Sequence, residues 1–211
     1  MTKVDSFDKN VEKYESWFER NSLAYESELE AVKALFPEHG KGLEIGVGTG
    51  LFAAPLGVRF GLDPSKNMSQ VAMKGGVKVI LGTGENLPCK DGSFDIVLMV
   101  TTVCFLDDVV RTLNEAHRVL KNSGYIVIGF IDRESFLGRI YEIRKMDNLF
   151  YKDATFLSIK EVISYLKQAG FRDFLFRQTI FGNTAEMKGP DPVKPGYGEG
   201  SFVVVRGKKL H

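Results

Sequence analysis

Three glycines and one carboxylate carry the densest chemical signal in this chain. Across residues 43–50, LEIGVGTG, a short apolar run leads straight into Gly46, Gly48 and Gly50, and glycine permits backbone angles and close approaches that a β-carbon forbids. A turn of that kind after a strand lets a flat nucleoside and its polar tail reach backbone amides. Asp63 stands at the end of the next apolar run, where a carboxylate can accept hydrogen bonds from both hydroxyls of a ribose. The combination is more specific than the glycines alone. Position 51 is Leu51, so the last glycine of a dinucleotide GxGxxG is missing, and no GK[ST] ending marks a phosphate-binding loop. A dinucleotide dehydrogenase and a nucleoside triphosphatase both lose ground. The structural alternative is a tight turn that touches no ligand, with Asp63 capping the following helix.

The elements that must position these groups follow from periodicity. Phe7, Val11, Tyr14, Phe18, Tyr25, Leu29, Val32 and Phe36 recur at three- and four-residue steps, which predicts an N-terminal helical cap over residues 1–37, one or two helices stopped at Pro37. Strands are then expected at 41–45, 58–62 and 77–81, with a short helix near 51–55 and another over 66–73. FDIVLMV at 94–100 is nearly continuous in apolar residues, as a strand buried on both faces requires. A helix over 108–120, a turn at 121–124 and a strand at 125–131 complete the alternation. Residues 132–157 read as a helical insertion, and the Ser158/Glu161 pair before Ile159 and Val162 is a capping box. Gly170 follows where a helix end favours positive φ. The last two strands, 171–181 and 201–207, flank a connection of residues 182–200 with five glycines and three prolines. Strands interleaved with helices mean a parallel sheet: a Rossmann-like, doubly wound α/β fold of about seven strands, mostly parallel with an antiparallel last strand, in a single domain over residues 1–211.

Composition sets the outer limits. The 211 residues suffice for one filled core, and 28 Lys and Arg against 27 Asp and Glu give a formal charge of +1. That balance makes nucleic acid an unfavoured partner. No apolar run approaches the roughly 20 residues of a membrane span, and the charged N-terminus offers no signal-peptide core, so a cytoplasmic protein with no membrane partner is expected. Cys89 and Cys104 have no metal-ligand spacing and read as structural thiols; no metal is expected. Oligomeric state is unassigned at this level.

Four ordered blocks, EIGVGTG, LDPS at 62–65, GTGENLPCKDGSFDIVLMV at 82–100 and LNEAHRVLKNSGYIVIG at 113–129, resemble the class I S-adenosylmethionine-dependent methyltransferases, in particular the ubiquinone/menaquinone-methyltransferase-like small-molecule group. The resemblance implies S-adenosyl-L-methionine as cofactor and a small-molecule nitrogen, oxygen or carbon nucleophile as methyl acceptor. By that resemblance Glu44 orients the first loop and assists the methionine ammonium, while Gly46, Val47, Gly48 and Gly50 form the cofactor turn. Asp63 takes the ribose, Pro64, Ser65 and Met68 flank the ribose and adenine, and Thr83, Gly84 and Glu85 meet the other adenine edge. Thr83 stands where the family often has aspartate. Thr101 lies beside the donor–acceptor interface.

The expected acceptor walls are aromatic: Tyr14, Trp17 and Phe18 of the cap, Phe105, Tyr141 and Tyr151, and Tyr197 in the glycine-rich connection, which is expected to line or cover the pocket. No catalytic base stands out. His39, His117 and His211 are poorly placed along the chain, Glu115 and Arg118 read as an ion pair, and Lys74 and Lys78 as solvated charges. The competing functions are a noncatalytic nucleoside-binding or interaction protein and a methyltransferase acting on RNA or protein.

Overall fold

The alternation of strand and helix demands a sheet covered on both faces. The structure, a computed structural model describing residues 3–210, builds it from eight strands among those residues. They are β1 (Gly42–Ile45), β2 (Phe60–Asp63), β3 (Lys78–Leu81), β4 (Phe94–Val100), β5 (Leu120–Ile131), β6 (Phe171–Thr179), β7 (Lys194–Pro195) and β8 (Phe202–Lys209), in the spatial order β3-β2-β1-β4-β5-β8-β6-β7. β1 to β5 pair in parallel, and β8 runs antiparallel between β5 and β6.

In β4 the two faces alternate as a doubly covered strand requires. Val97 and Met99 pack with α5 (Val109–Val119) and α7 (Ile159–Gln168), whereas Leu98 and Val100 join the core under α3 (Ser22–Lys33). Each such side chain contributes roughly 1.5–3 kcal/mol by leaving water. The Ser158/Glu161 capping box is formed, with Glu161 Oε2 accepting from the Ser158 amide at 2.7 Å.

Several expectations need correction. The fold class itself stands, with one short addition: β7, two residues inside the glycine-rich connection, pairs with β6 at the sheet edge, where Pro195 needs no donor. The apolar stripe of the N-terminus forms three helices, α1 (Lys3–Asp8), α2 (Val11–Arg20) and α3, with breaks at Asn10 and Asn21. Residues 51–57 are consecutive turns instead of a helix, since Pro55 supplies no N–H to continue the ladder. β5 begins at Leu120, which pairs with Phe94 before a register shift; the expected turn survives inside it as Ser123 at φ 64°. The 132–157 segment is helical only in its first part, α6 (Phe136–Arg144) and a 3-10 turn over Lys145–Asp147. His211 lies outside the described residues.

Candidate functional site

Parallel strands deliver their carboxyl ends to one edge of the sheet. Ile45, Leu62, Asp63, Val100 and Ile131 end β1, β2, β4 and β5 around a cavity of about 460 Å³, within the usual range for small-molecule sites. α1 and α2 close it with Phe7, Tyr14, Trp17 and Phe18, and the 132–157 segment contributes Tyr141, Asn148, Phe150 and Tyr151.

The glycine turn is built by three left-handed residues, Gly46, Gly48 and Gly50, at φ 72°, 54° and 88°. A β-carbon on Gly46 would overlap the Thr102 side chain. The turn's amides have assigned partners: Gly46 and Val47 both donate to the Leu62 carbonyl, at 2.8 and 3.1 Å, and Gly48 donates to Asp63 Oδ2 at 2.8 Å. These N–H groups form no anion nest, and no helix N-terminus follows them. That geometry disfavours a pyrophosphate or triphosphate ligand.

Asp63 is only 8% exposed, and Ser65 donates its amide to Asp63 Oδ1 at 2.8 Å. Each carboxylate oxygen therefore holds one N–H and keeps a lone pair for a ligand hydroxyl. Burial pushes this carboxyl up, and the amides of Ser65 and Gly48 pull it back toward the charged form. Gly48 borders the open cavity; a β-carbon there would meet only Tyr14 Oη, at 3.7 Å. An acid with two vacant lone pairs beside a glycine cradle fits a ribose, so the residues present suit a nucleoside cofactor.

Of the residues expected at the cofactor, Gly46, Gly48, Asp63, Pro64, Ser65, Met68, Thr83, Gly84, Glu85 and Thr101 line the cavity. Thr101 adopts φ 50°, an unusual conformation for a β-branched residue, and its amide donates to the Gly129 carbonyl at 2.8 Å. Glu44, Val47 and Gly50 are not on the wall. Val47 points back into the core, Gly50 packs on Ala72 and Val77, and Glu44 is buried with Oε2 unpartnered and its carboxyl pushed up by burial. The Ser65 hydroxyl caps α4 (Lys66–Lys74) and donates to Asp8 Oδ1 at 2.7 Å, clipping α1 to α4. Glu85 Oε1 accepts from the Asp107 amide at 3.0 Å.

Tyr14, Trp17, Phe18, Phe105, Tyr141 and Tyr151 also line the cavity, joined by ring contacts such as Tyr141–Tyr151, with centroids 5.2 Å apart. Tyr197 does not. It packs edge-on against Phe176, 4.9 Å away, because the connection is pinned to the far sheet edge by β7 and by Gln178 Oε1, which accepts from Glu199 and Gly200. That pinning overturns the expectation that the glycine-rich connection lines the pocket. His39 and His117 are also absent from the wall, and His117 packs on Phe171. Arg118 binds Glu115 and Asp91 and donates to the Leu87 and Cys89 carbonyls, bracing the loop beyond Glu85. Burial lifts the Cys104 thiol to about 12, which makes it inert.

The wall also holds residues that motif reading passed over: Lys3, Phe7, Glu28, Asp107 and Ile131. Glu28 had a readable signal, since it stands three residues after Tyr25 and four before Val32 on the inward face of α3. It is 4% exposed, and burial pushes its carboxyl from 4.5 up to about 8. An acid raised in this way keeps a proton in the folded chain that the unfolded chain releases, so stability falls as pH climbs from about 4.5 to about 8. At about 1.4 kcal/mol per pH unit, the fall amounts to a few kcal/mol. Thermal unfolding of the ligand-free protein at pH 5, 6.5 and 8 should show a falling midpoint. Glu28→Gln should flatten that trend; Asp63 and Glu44, raised for the same reason, supply the remainder.

Comparison with known proteins bears on the same segments. A family model described as a methyltransferase domain matches residues 43–128. The uncharacterized protein MJ1123 of Methanocaldococcus jannaschii is 49% identical, covering 98% of this chain and all of that one. A Thermotoga maritima crystal structure described as an SAM-dependent methyltransferase, possible histamine N-methyltransferase, superposes with a TM-score of 0.95 at 52% identity, over 98% of this chain and 99% of that one. A demethylmenaquinone methyltransferase from the same organism is 29% identical, over 78% of this chain and 86% of its own length.

Proposed function

The chain belongs to the class I S-adenosylmethionine-dependent methyltransferases, and from that premise we propose that it methylates a small-molecule nucleophile by direct in-line displacement. S-adenosyl-L-methionine supplies an electrophilic sulfonium methyl when bound. What the chain adds is binding, orientation and exclusion of water. Asp63 holds the ribose, with Gly48 leaving the space beside it. Pro64 and Met68 flank the nucleoside, and Thr83, Gly84 and Glu85 border the base. Thr101 and Thr102 stand where donor and acceptor meet. Tyr14, Trp17, Phe105, Tyr141 and Tyr151 enclose the acceptor.

The observation that carries this reading is one cavity running from Asp63 on β2 to Ile131 on β5 beneath α1 and α2, large enough for a small molecule and roofed against an RNA or protein surface. Lys3 Nζ donates to Asp107 at 2.8 Å and Asp8 holds Ser65 and Asn67, so the roof is clasped at both ends of α1. The N-terminal helices are thus a cap, and residues 132–157 an acceptor-side wall, in a single methyltransferase domain. Among the described residues no helix is long and apolar enough to cross a membrane; a cytoplasmic site of action is part of the same proposal. The designation of the Thermotoga relative as a possible histamine N-methyltransferase favours nitrogen over oxygen or carbon as the accepting atom.

Incubating the protein with methyl-labelled S-adenosyl-L-methionine and a metabolite extract, followed by mass spectrometry, tests the reading. A labelled small molecule that depends on the protein is expected. Label found only in RNA or protein would reject the acceptor class, and cofactor binding without transfer would reject catalysis in favour of a binding role.

A further inference from the structure

We infer that Glu28 is the specificity residue of the acceptor subsite: its carboxylate recognises the cationic nitrogen of a compact amine and takes a proton from it. This rests on the methyltransferase reading above and names the acceptor class for the same cavity.

The charged side chains on the cavity wall among the described residues are Lys3, Glu28, Asp63, Glu85 and Asp107. Four have partners. Lys3 and Asp107 are paired at 2.8 Å, Glu85 accepts from the Asp107 amide, and Asp63 accepts from Gly48 and Ser65. Glu28 has no hydrogen bond or ion pair among the described residues, and its carboxyl is displaced by burial alone. A buried carboxylate without a counter-charge is strongly unfavourable. The ligand-free chain avoids that cost by keeping Glu28 protonated; a ligand that brings a cation stabilises the carboxylate form, whereas a neutral ligand gives it no counter-charge.

Position separates Glu28 from the cofactor end. Asp63 lies on β2, while α3 packs across β5, β8 and β6. From β2 to β5 the sheet order takes three strand spacings, about 14 Å. Ile131 and Tyr141 line the cavity at that far end, and Tyr14 lies between, close enough for its hydroxyl to feel both Asp63 and Glu28. Aromatic faces beside a carboxylate suit a cation, because the ring faces attract the same charge.

An amine reaches the site as an ammonium whose lone pair is occupied. The ligand-free site holds Glu28 protonated near neutral pH, so the entering ammonium first displaces that proton to solvent and pairs with the carboxylate. Transfer to Glu28 then breaks one N–H bond, re-forms the carboxyl O–H and leaves the pair on nitrogen. Burial, which holds Glu28 near 8, suits it to that exchange near neutral pH. The titratable groups around it are Tyr14 on α2, Tyr25 on α3, Tyr141 on α6 and Tyr151, all raised by burial and so uncharged there.

The test is calorimetry of the protein saturated with S-adenosylhomocysteine, titrated with histamine, 2-phenylethylamine, tyramine and neutral 2-phenylethanol. At least one amine is expected to bind the wild-type complex, at least tenfold tighter than the alcohol. Glu28→Gln should weaken that amine about tenfold or more while S-adenosylhomocysteine affinity stays within about twofold. Equal amine affinity in E28Q, 2-phenylethanol binding as tightly as the amines, no amine binding at all, or a parallel loss of S-adenosylhomocysteine affinity would each overturn the assignment. The amine-to-alcohol ratio in the wild type keeps the test decisive if E28Q folds poorly. Failure of the wild type to bind S-adenosylhomocysteine would strike the methyltransferase reading itself.

Discussion

Replacing Asp63 with alanine should lower the affinity for S-adenosylhomocysteine by about two orders of magnitude. The carboxylate has one lone pair left on each oxygen after Gly48 and Ser65 have donated to it, and hydrogen bonds to a charged group in a buried site are worth about 1.5–3 kcal/mol each. Alanine removes both ligand contacts and also leaves the Gly48 and Ser65 amides unpaired. Asp63→Asn is the intermediate case, since its NH2 must replace one of the two oxygens that accept from Gly48 and Ser65. Its single amide oxygen can still accept, so the loss should be nearer tenfold, at about 1.4 kcal/mol. Calorimetric titration of each variant, alongside its thermal midpoint, provides the check. A D63A protein that binds as the wild type does would remove Asp63 from the cofactor site.

The contrast between Asp63 and Glu28 shows what the sequence makes legible. Asp63 is readable because local chain order places it: a strand end, one step beyond a glycine turn on the neighbouring strand. The same local logic reaches β1 to β5, whose parallel order follows from the repeated alternation, and the capping box at Ser158, which needs only a three-residue reach. Glu28 depends on tertiary placement. A charge on the inward face of α3 signals something, but its meaning appears only when α3 crosses β5 and the segment around Tyr141 and Tyr151 folds against it. Tyr197 fails for the converse reason: an aromatic in a glycine- and proline-rich connection looks adaptable, yet the Gln178 side chain and β7 hold that connection at the edge beyond β6. Residues 51–57 show a third limit, in which apolar content suggested a helix and Pro55 decided against one.

Val47 was expected at the cofactor and instead acts from behind the turn, which leads to the second large effect. Gly61 on β2 pairs with Glu44 and presents its bare α-carbon to the Val47 side chain. A β-carbon on Gly61 would lie 2.7 Å from Val47 Cγ1, 2.8 Å from Cβ and 2.9 Å from Cγ2. No rotamer of valine relieves a contact that includes its own Cβ, so the backbone between Gly46 and Gly48 must move. Those two residues hold the bonds to the Leu62 carbonyl and to Asp63. Gly61→Ala should therefore cost about 1–3 kcal/mol of stability through overpacking, and weaken S-adenosylhomocysteine about tenfold, although residue 61 is not on the cavity wall. Adding Val47→Ala removes both γ-carbons but not the Cβ contact, so the double variant should recover part of the lost affinity, a coupling that two independent sites would not show. Wild-type affinity in G61A alone would mean that the turn is not set by this peg, and an additive double variant would mean that the loss arises elsewhere in β2.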